Sequence, residues 1–100
     1  MSEVYTVAQL QGVLTPIFRK NKVRKATLFG SYSKGKATEH SDVDIMVDSG
    51  LRGLAFFGLV DDVCESLDCE VDLIDIRDII PDSKVDHEIR NHGVVIYEQE

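Results

Sequence analysis

Asp42-Val43-Asp44-Ile45-Met46-Val47 sets acidic against apolar side chains at every second position, then turns wholly hydrophobic. That period belongs to a strand, because only an extended backbone sends alternate residues to opposite faces. Asp42 and Asp44 then share a face while Val43 and Ile45 point into a core. Two carboxylates so close repel each other, and one resists ionisation unless a cation lies between them. Such a pair does nothing for a fold, although paired acids at a solvated strand end are common.

Glu70-Val71-Asp72-Leu73-Ile74-Asp75 alternates in the same way and predicts a strand over Glu70–Ile76. Val71 and Leu73 share one face, and Asp72 lies on the other beside Ile74. An acid between apolar neighbours in a predicted central strand calls for a reason, and proximity to Asp42 and Asp44 on an adjacent strand supplies one. Two further strands are predicted from short apolar runs, Ala26–Phe29 and Val94–Tyr97.

Between the strands the period changes to that of a helix. Thr6 and Gln9 have the spacing of a capping box. Val7, Leu10, Leu14, Ile17 and Phe18 then recur on one helical face, with Pro16 expected to kink the helix or restart it after Thr15. Gly50–Gly53 reads as a loop. Phe56, Phe57, Val60, Val63, Cys64 and Leu67 make an apolar stripe over Leu54–Leu67. Ile80-Pro81-Asp82-Ser83 ends an extended stretch and caps a short helix carrying Val85 and Ile89, closed by Gly93 as a C′ glycine. The order is helix, strand, motif loop, strand, helix, strand, helix, strand. This predicts an α/β (α+β) domain with a mixed sheet of about four strands covered by helices. One hundred residues make one domain, 1–100, with 43% hydrophobic residues for a small core. A domain of this size is marginal alone, a first hint of a partner.

The net charge of −7 is unevenly spread. Between Val4 and Thr38 there is no acid, while Arg19, Lys20, Lys22, Arg24, Lys25, Lys34 and Lys36 all fall there; from Glu39 onward acids dominate. An acidic chain is a poor non-specific nucleic-acid binder, so no direct nucleic-acid contact is expected. No apolar run reaches the roughly 20 residues of a membrane span, and the first residues lack the pattern of a signal peptide, so a cytoplasmic location is expected. Cys64 and Cys69 have neither CxxC spacing nor a histidine set for zinc, and read as reduced structural thiols.

Gly30-Ser31-Tyr32-Ser33-Lys34-Gly35 follows directly on the strand ending at Phe29. Glycine there lets backbone approach a ligand closely, and a short helix starting at Ser31 would aim free N–H groups at a phosphate. Ser31 adds a hydroxyl, and Lys34 or Lys36 a positive charge. Alone, a glycine–serine turn is commonplace. Three carboxylates with a triphosphate make a hard, oxygen-only surround suited to Mg²⁺, and two such ions would clamp the attacking and leaving oxygens of an in-line displacement. Asp72 is then placed to take the proton of the incoming hydroxyl.

Phe29-Gly30-Ser31 through Gly35, Ser41-Asp42-Val43-Asp44 and Glu70-Val71-Asp72-Leu73 together resemble the signature of the minimal nucleotidyltransferases of the DNA-polymerase-β-like superfamily. The resemblance implies transfer of a nucleoside monophosphate from an NTP, AMP from ATP foremost, to an acceptor hydroxyl. It implies that Gly30 and Ser31 hold the β,γ-phosphates, with Lys34 beside them. Asp42 and Asp44 would bind both Mg²⁺ ions, and Asp72 would join the catalytic metal and activate the acceptor. The usual motif has alanine and arginine where this chain has Ser33 and Lys34, and lysine lacks arginine's two-pronged grip. A lone catalytic core of this size is similar to the antitoxin members paired with a HEPN-domain toxin, which implies AMP transfer to a toxin tyrosine. The acidic remainder of the chain would suit a basic, RNA-handling partner. Two other functions stay open: an antitoxin that acts by binding alone, and a transferase subunit acting on a small molecule such as an antibiotic. Clustered acids favour catalysis over binding alone. His40, His87 and His92 are expected to be loop or helix-end residues, Arg52 a solvated one, and Tyr32 either a base-stacking or a sheet-packing residue.

Overall fold

The computed structural model describes residues 4–99. Helix α1, Val7–Lys20, starts at the expected capping box: Thr6 Oγ1 accepts from Gln9 N at 3.0 Å and Gln9 Oε1 accepts from Thr6 N at 2.8 Å. It runs unbroken through Pro16 to Lys20 instead of restarting there. The proline ring faces the carbonyl four residues earlier, that of Gly12, and the helix continues past it. Asn21 closes the helix, its side-chain amide donating to Ile17 O and to Asp62 on the next helix.

Strands β1 (Lys25–Phe29), β2 (Val43–Asp48), β3 (Val71–Asp75) and β4 (Val94–Glu98) form one mixed sheet in the order β3-β2-β1-β4. β1 pairs antiparallel with β2 and with β4, while β2 and β3 run parallel. The parallel pair follows from its connection: α2, Leu54–Ser66, carries the chain from the end of β2 back to the start of β3. β3 is therefore an edge strand, not the central strand expected.

One face of the sheet is the core. Val43, Ile45 and Val47 of β2 are fully buried on it, with Ala26, Leu28 and Ile96 beside them and Leu10, Leu14 and Phe18 of α1 above. α2 adds Leu59 and Val63, with Leu67 at its end. The helix is thus turned relative to the expected stripe. Leu59 takes a core position, whereas Phe57 is 66% exposed and Cys64 lies at the surface. The apolar residues of α2 nearly encircle it, so periodicity alone could not choose the side. Both cysteines are free thiols. No helix among the described residues is long and apolar enough to cross a membrane.

The opposite face of the sheet is partly open. Asp44, Met46 and Asp48 project there from β2, and Asp72 and Ile74 from β3. A 3-10 turn, Ile76–Asp78, and helix α3, Lys84–His92, cover the rest. The turn is anchored by Asp75, which is 3% exposed, accepts from Ser49 Oγ and caps Arg77 N. Gly93 ends α3, but with φ of −66° it is not the left-handed C′ glycine expected. Crowding is the reason for glycine here. A Cβ would stand 2.9 Å from Thr27 Cγ2 and closer still to Ile89 O. Gly93→Ala should therefore lower stability by about 1–3 kcal/mol, the usual cost of overpacking. Urea denaturation reads this directly, and an unchanged midpoint would contradict the crowding at Gly93.

Candidate active site

The site is built where β1 ends and β2 begins. Phe29 is the register partner of Asp44, so Gly30 lies next to the Asp44 side chain. The approach is close enough to forbid any other residue: a Cβ on Gly30 would fall well inside 3.0 Å of Asp44 Oδ2, and φ is +73°. Gly30 thus gives the carboxylate its room.

After Gly30 the chain forms a compact turn rather than the short helix expected. Lys34 N donates to Gly30 O at 3.3 Å, Lys36 N to Ser31 O at 3.0 Å, and Ser33 Oγ to Gly30 O at 2.9 Å. Among the described residues, the backbone N–H groups of Ser31, Tyr32 and Ser33 donate to no protein acceptor. Consecutive free N–H groups in a turn are a feature that favours anions. Tyr32 anchors the turn from below, its ring in the hydrophobic core at 5% exposure, so sheet packing is its role in the fold. Burial raises the phenol's pKa.

Lys34 turns toward α3 and pairs with Glu88, whose carboxyl pKa is lowered by that hydrogen bond. The pair ties α3 to the motif turn, a contact with no signal in the sequence because the partners lie 54 positions apart. Lys34 thus has a partner within the protein, with its charge still beside the motif turn.

Across the β2–β3 pair, Asp44 stands in direct register with Asp72 on the same face. The two side chains are close enough for each carboxyl to feel the other's charge. Burial first, then the charge and hydrogen bond of Asp72, then the charge of Asp42, push the Asp44 carboxyl up to about 6. Asp42 stands one step outside the strand and is exposed. There it borders a surface depression of about 370 Å³ with Glu39, His40, Cys69 and Glu70. The structure therefore brings Asp44 and Asp72 together and holds Asp42 at the mouth. Among the described residues no three His, Cys, Asp or Glu side chains converge into a complete metal cage.

An oxygen-only pair with repelling charges still fits Mg²⁺, which is commonly held by one or two carboxylates plus substrate phosphates and not by an all-protein cage. His40 is exposed, its Nε2 3.5 Å from Glu39 Oε1. His87 and His92 are exposed on α3, the latter in its last turn. Arg52 lies near Arg24 and Arg77 at the far end of β2 and β3, away from the acid pair.

Residues 13–100 match the family described as polymerase beta, nucleotidyltransferase. The chain belongs to that family. It is a nucleotidyltransferase domain with the four-stranded mixed sheet of the fold. A relative from Methanocaldococcus jannaschii that bears the name "putative protein adenylyltransferase MJ0435" is 33% identical over 78 residues, covering 75% of this chain and 83% of the relative. The protein adenylyltransferase MntA of Shewanella oneidensis is 40% identical over 58 residues, 56% of this chain but only 42% of MntA. Among solved structures, a toxin–antitoxin complex with AMP-PNP aligns with a TM-score of 0.72 at 29% identity, covering 90% of this chain and 74% of that one. The structure of a tri-AMPylated Shewanella oneidensis HEPN toxin with its MNT antitoxin gives 0.67 at 26% identity, covering 94% and 74%.

The acid pair makes the nucleotidyltransferase domain pH-sensitive. Because the folded-state pKa of Asp44 is raised, its contribution to stability is complete below about pH 4 and is lost as pH rises through about 6. Asp44→Asn removes the repelling charge. It should therefore raise stability at about pH 8 by about 1 kcal/mol, reduced from the full linkage value by solvent screening, and change little at about pH 4. Melting curves at the two pH values check this; equal effects at both would contradict it.

Proposed function

We propose that this chain transfers AMP from ATP to a hydroxyl of a partner protein, a tyrosine of a HEPN-domain toxin, and so acts as its antitoxin. The observation that carries the reading is the register of Asp44 with Asp72 beside the glycine turn at Gly30. Support for the partner comes from relatives whose structures are toxin–antitoxin complexes, one with an AMPylated HEPN toxin.

In this reading Gly30 and Ser31 offer backbone and hydroxyl donors to the β,γ-phosphates. Lys34 positions the turn through Glu88 and adds positive charge nearby. Asp44 and Asp72, with Asp42 at the mouth, hold Mg²⁺ together with phosphate oxygens. The bound cation supplies charge neutralisation at the phosphoryl group being transferred. Asp72 accepts the proton of the acceptor hydroxyl. The acceptor oxygen forms its bond to the α-phosphorus as the bond to the pyrophosphate oxygen breaks, and pyrophosphate departs over the Gly30 turn. The edge position of β3 leaves Asp72 approachable by a protein acceptor without moving any strand.

Incubation with Mg²⁺ and each α-labelled NTP, with and without a HEPN-domain partner, tests this. Label from ATP should appear on a partner tyrosine by mass spectrometry. Asp72→Ala should lower the rate by about 10²–10⁴, as expected for loss of a general base, while the protein stays folded and melts no lower than the wild type. Equal labelling by mutant and wild type would refute the role of Asp72, and no labelling of any acceptor would refute the function.

A further inference from the structure

The open face of the sheet carries more than acids. Met46 and Ile74 follow Asp44 and Asp72 by two residues, share their face, and are themselves register partners. Beside Met46, the side chains of Ile76, Ile79, Pro81 and Ile89 enclose an apolar cleft of about 380 Å³ between the sheet and α3. Asp86 and Arg90, paired with each other, form its rim. Ile76 remains 46% exposed there, so the cleft is not closed by the protein itself. Its volume falls within the range of ligand sites, roughly 300 Å³ and upward, and leaves room for an aromatic ring.

Position decides what enters it. The Gly30 turn lies on one side of the acid pair, past the end of β1, and the cleft lies on the other, about 6–7 Å further along β2 and β3. Phosphoryl transfer keeps the attacking and leaving oxygens roughly in line. With pyrophosphate leaving over Gly30 and Ser31, the attacking oxygen must come from the Met46 side. The ribose 5′-oxygen is a non-reacting substituent of the α-phosphorus, so sugar and base leave that axis sideways. We propose that the cleft is the acceptor subsite and receives the aromatic ring of a tyrosine, with the phenolic oxygen reaching Asp44 and Asp72. A ring with its hydroxyl at the far end has one apolar body and one polar tip, matching an apolar cleft that begins at Met46, two residues along the strand from Asp44. Serine, whose hydroxyl is one bond from Cβ, cannot fill the cleft and reach the acids together. Met46, Ile79 and Ile89 thus select an aromatic over an aliphatic hydroxyl.

This inference rests on the transferase reading, and methyl NMR separates the two. With Met and Ile methyl groups labelled in the full chain, N-acetyl-tyrosinamide is titrated at millimolar concentration into protein holding Mg²⁺ and AMP-PNP. The Met46, Ile79 and Ile89 methyls should shift, those of Ile17 and Ile96 should stay, and N-acetyl-serinamide should move none. Ile79→Ala should weaken the tyrosine derivative about fivefold and leave AMP-PNP affinity unchanged, as for loss of a small apolar contact. The same methyls moving with AMP-PNP alone would assign the cleft to the base and overturn the proposal, as would silence with the tyrosine derivative. Absence of AMP-PNP shifts at the Gly30 and Ser31 amides would instead overturn the transferase reading, and the proposal with it, by a separate signal.

Discussion

The whole arrangement depends on two carboxylates held in register across a parallel strand pair. Asp44 and Asp72 occupy equivalent positions on β2 and β3, and neither has a salt-bridge partner among the described residues. Burial and mutual repulsion raise the Asp44 pKa to about 6, so the fold carries a cost at neutral pH that only a cation or a proton relieves. Gly30 accepts the Asp44 carboxyl where a side chain would collide. A single parallel crossover, β2–α2–β3, therefore creates the site and sets it at the sheet edge.

Two faces of one sheet divide the labour. Val43, Ile45 and Val47 face α1 and α2 and supply stability, while Asp44, Met46 and Asp48 face the open side. Strict alternation makes this division, since every second residue of β2 belongs to the other face. α3 covers only part of the open side. It is fixed by Gly93 against Thr27 and by Glu88 on Lys34 of the motif turn. Along the open side the glycine turn, the carboxylates and the apolar side chains follow one another in that order.

Much of this was legible in the residues. The Thr6–Gln9 box marked the start of α1, and the period-two pattern of Asp42–Val47 marked both the strand and the face on which Asp44 lies. Asp72 beside Ile74 foretold the acid on the open side of β3. Other features left no local trace. The turn of α2 that buries Leu59 and exposes Phe57 is set by packing, because that helix is apolar almost all round. Pairing of Lys34 with Glu88 and burial of Asp75 under Ser49 join residues distant in sequence. Gly93 looked like a left-handed helix-ending glycine by position, whereas its need comes from crowding by Ile89 O and by the Thr27 side chain of β1. The edge placement of β3 follows from topology, which short-range patterns do not encode.

The central claim is that the Asp44–Asp72 pair is a cation and nucleotide site, and the ionisation of Asp44 reports on it most directly. Following its side-chain carboxyl by ¹³C NMR against pH, with and without Mg²⁺ and AMP-PNP, is the decisive measurement. The account predicts a midpoint near 6 in the free protein that falls markedly once both are added. A midpoint that stays where it was would mean that no cation sits between these carboxylates.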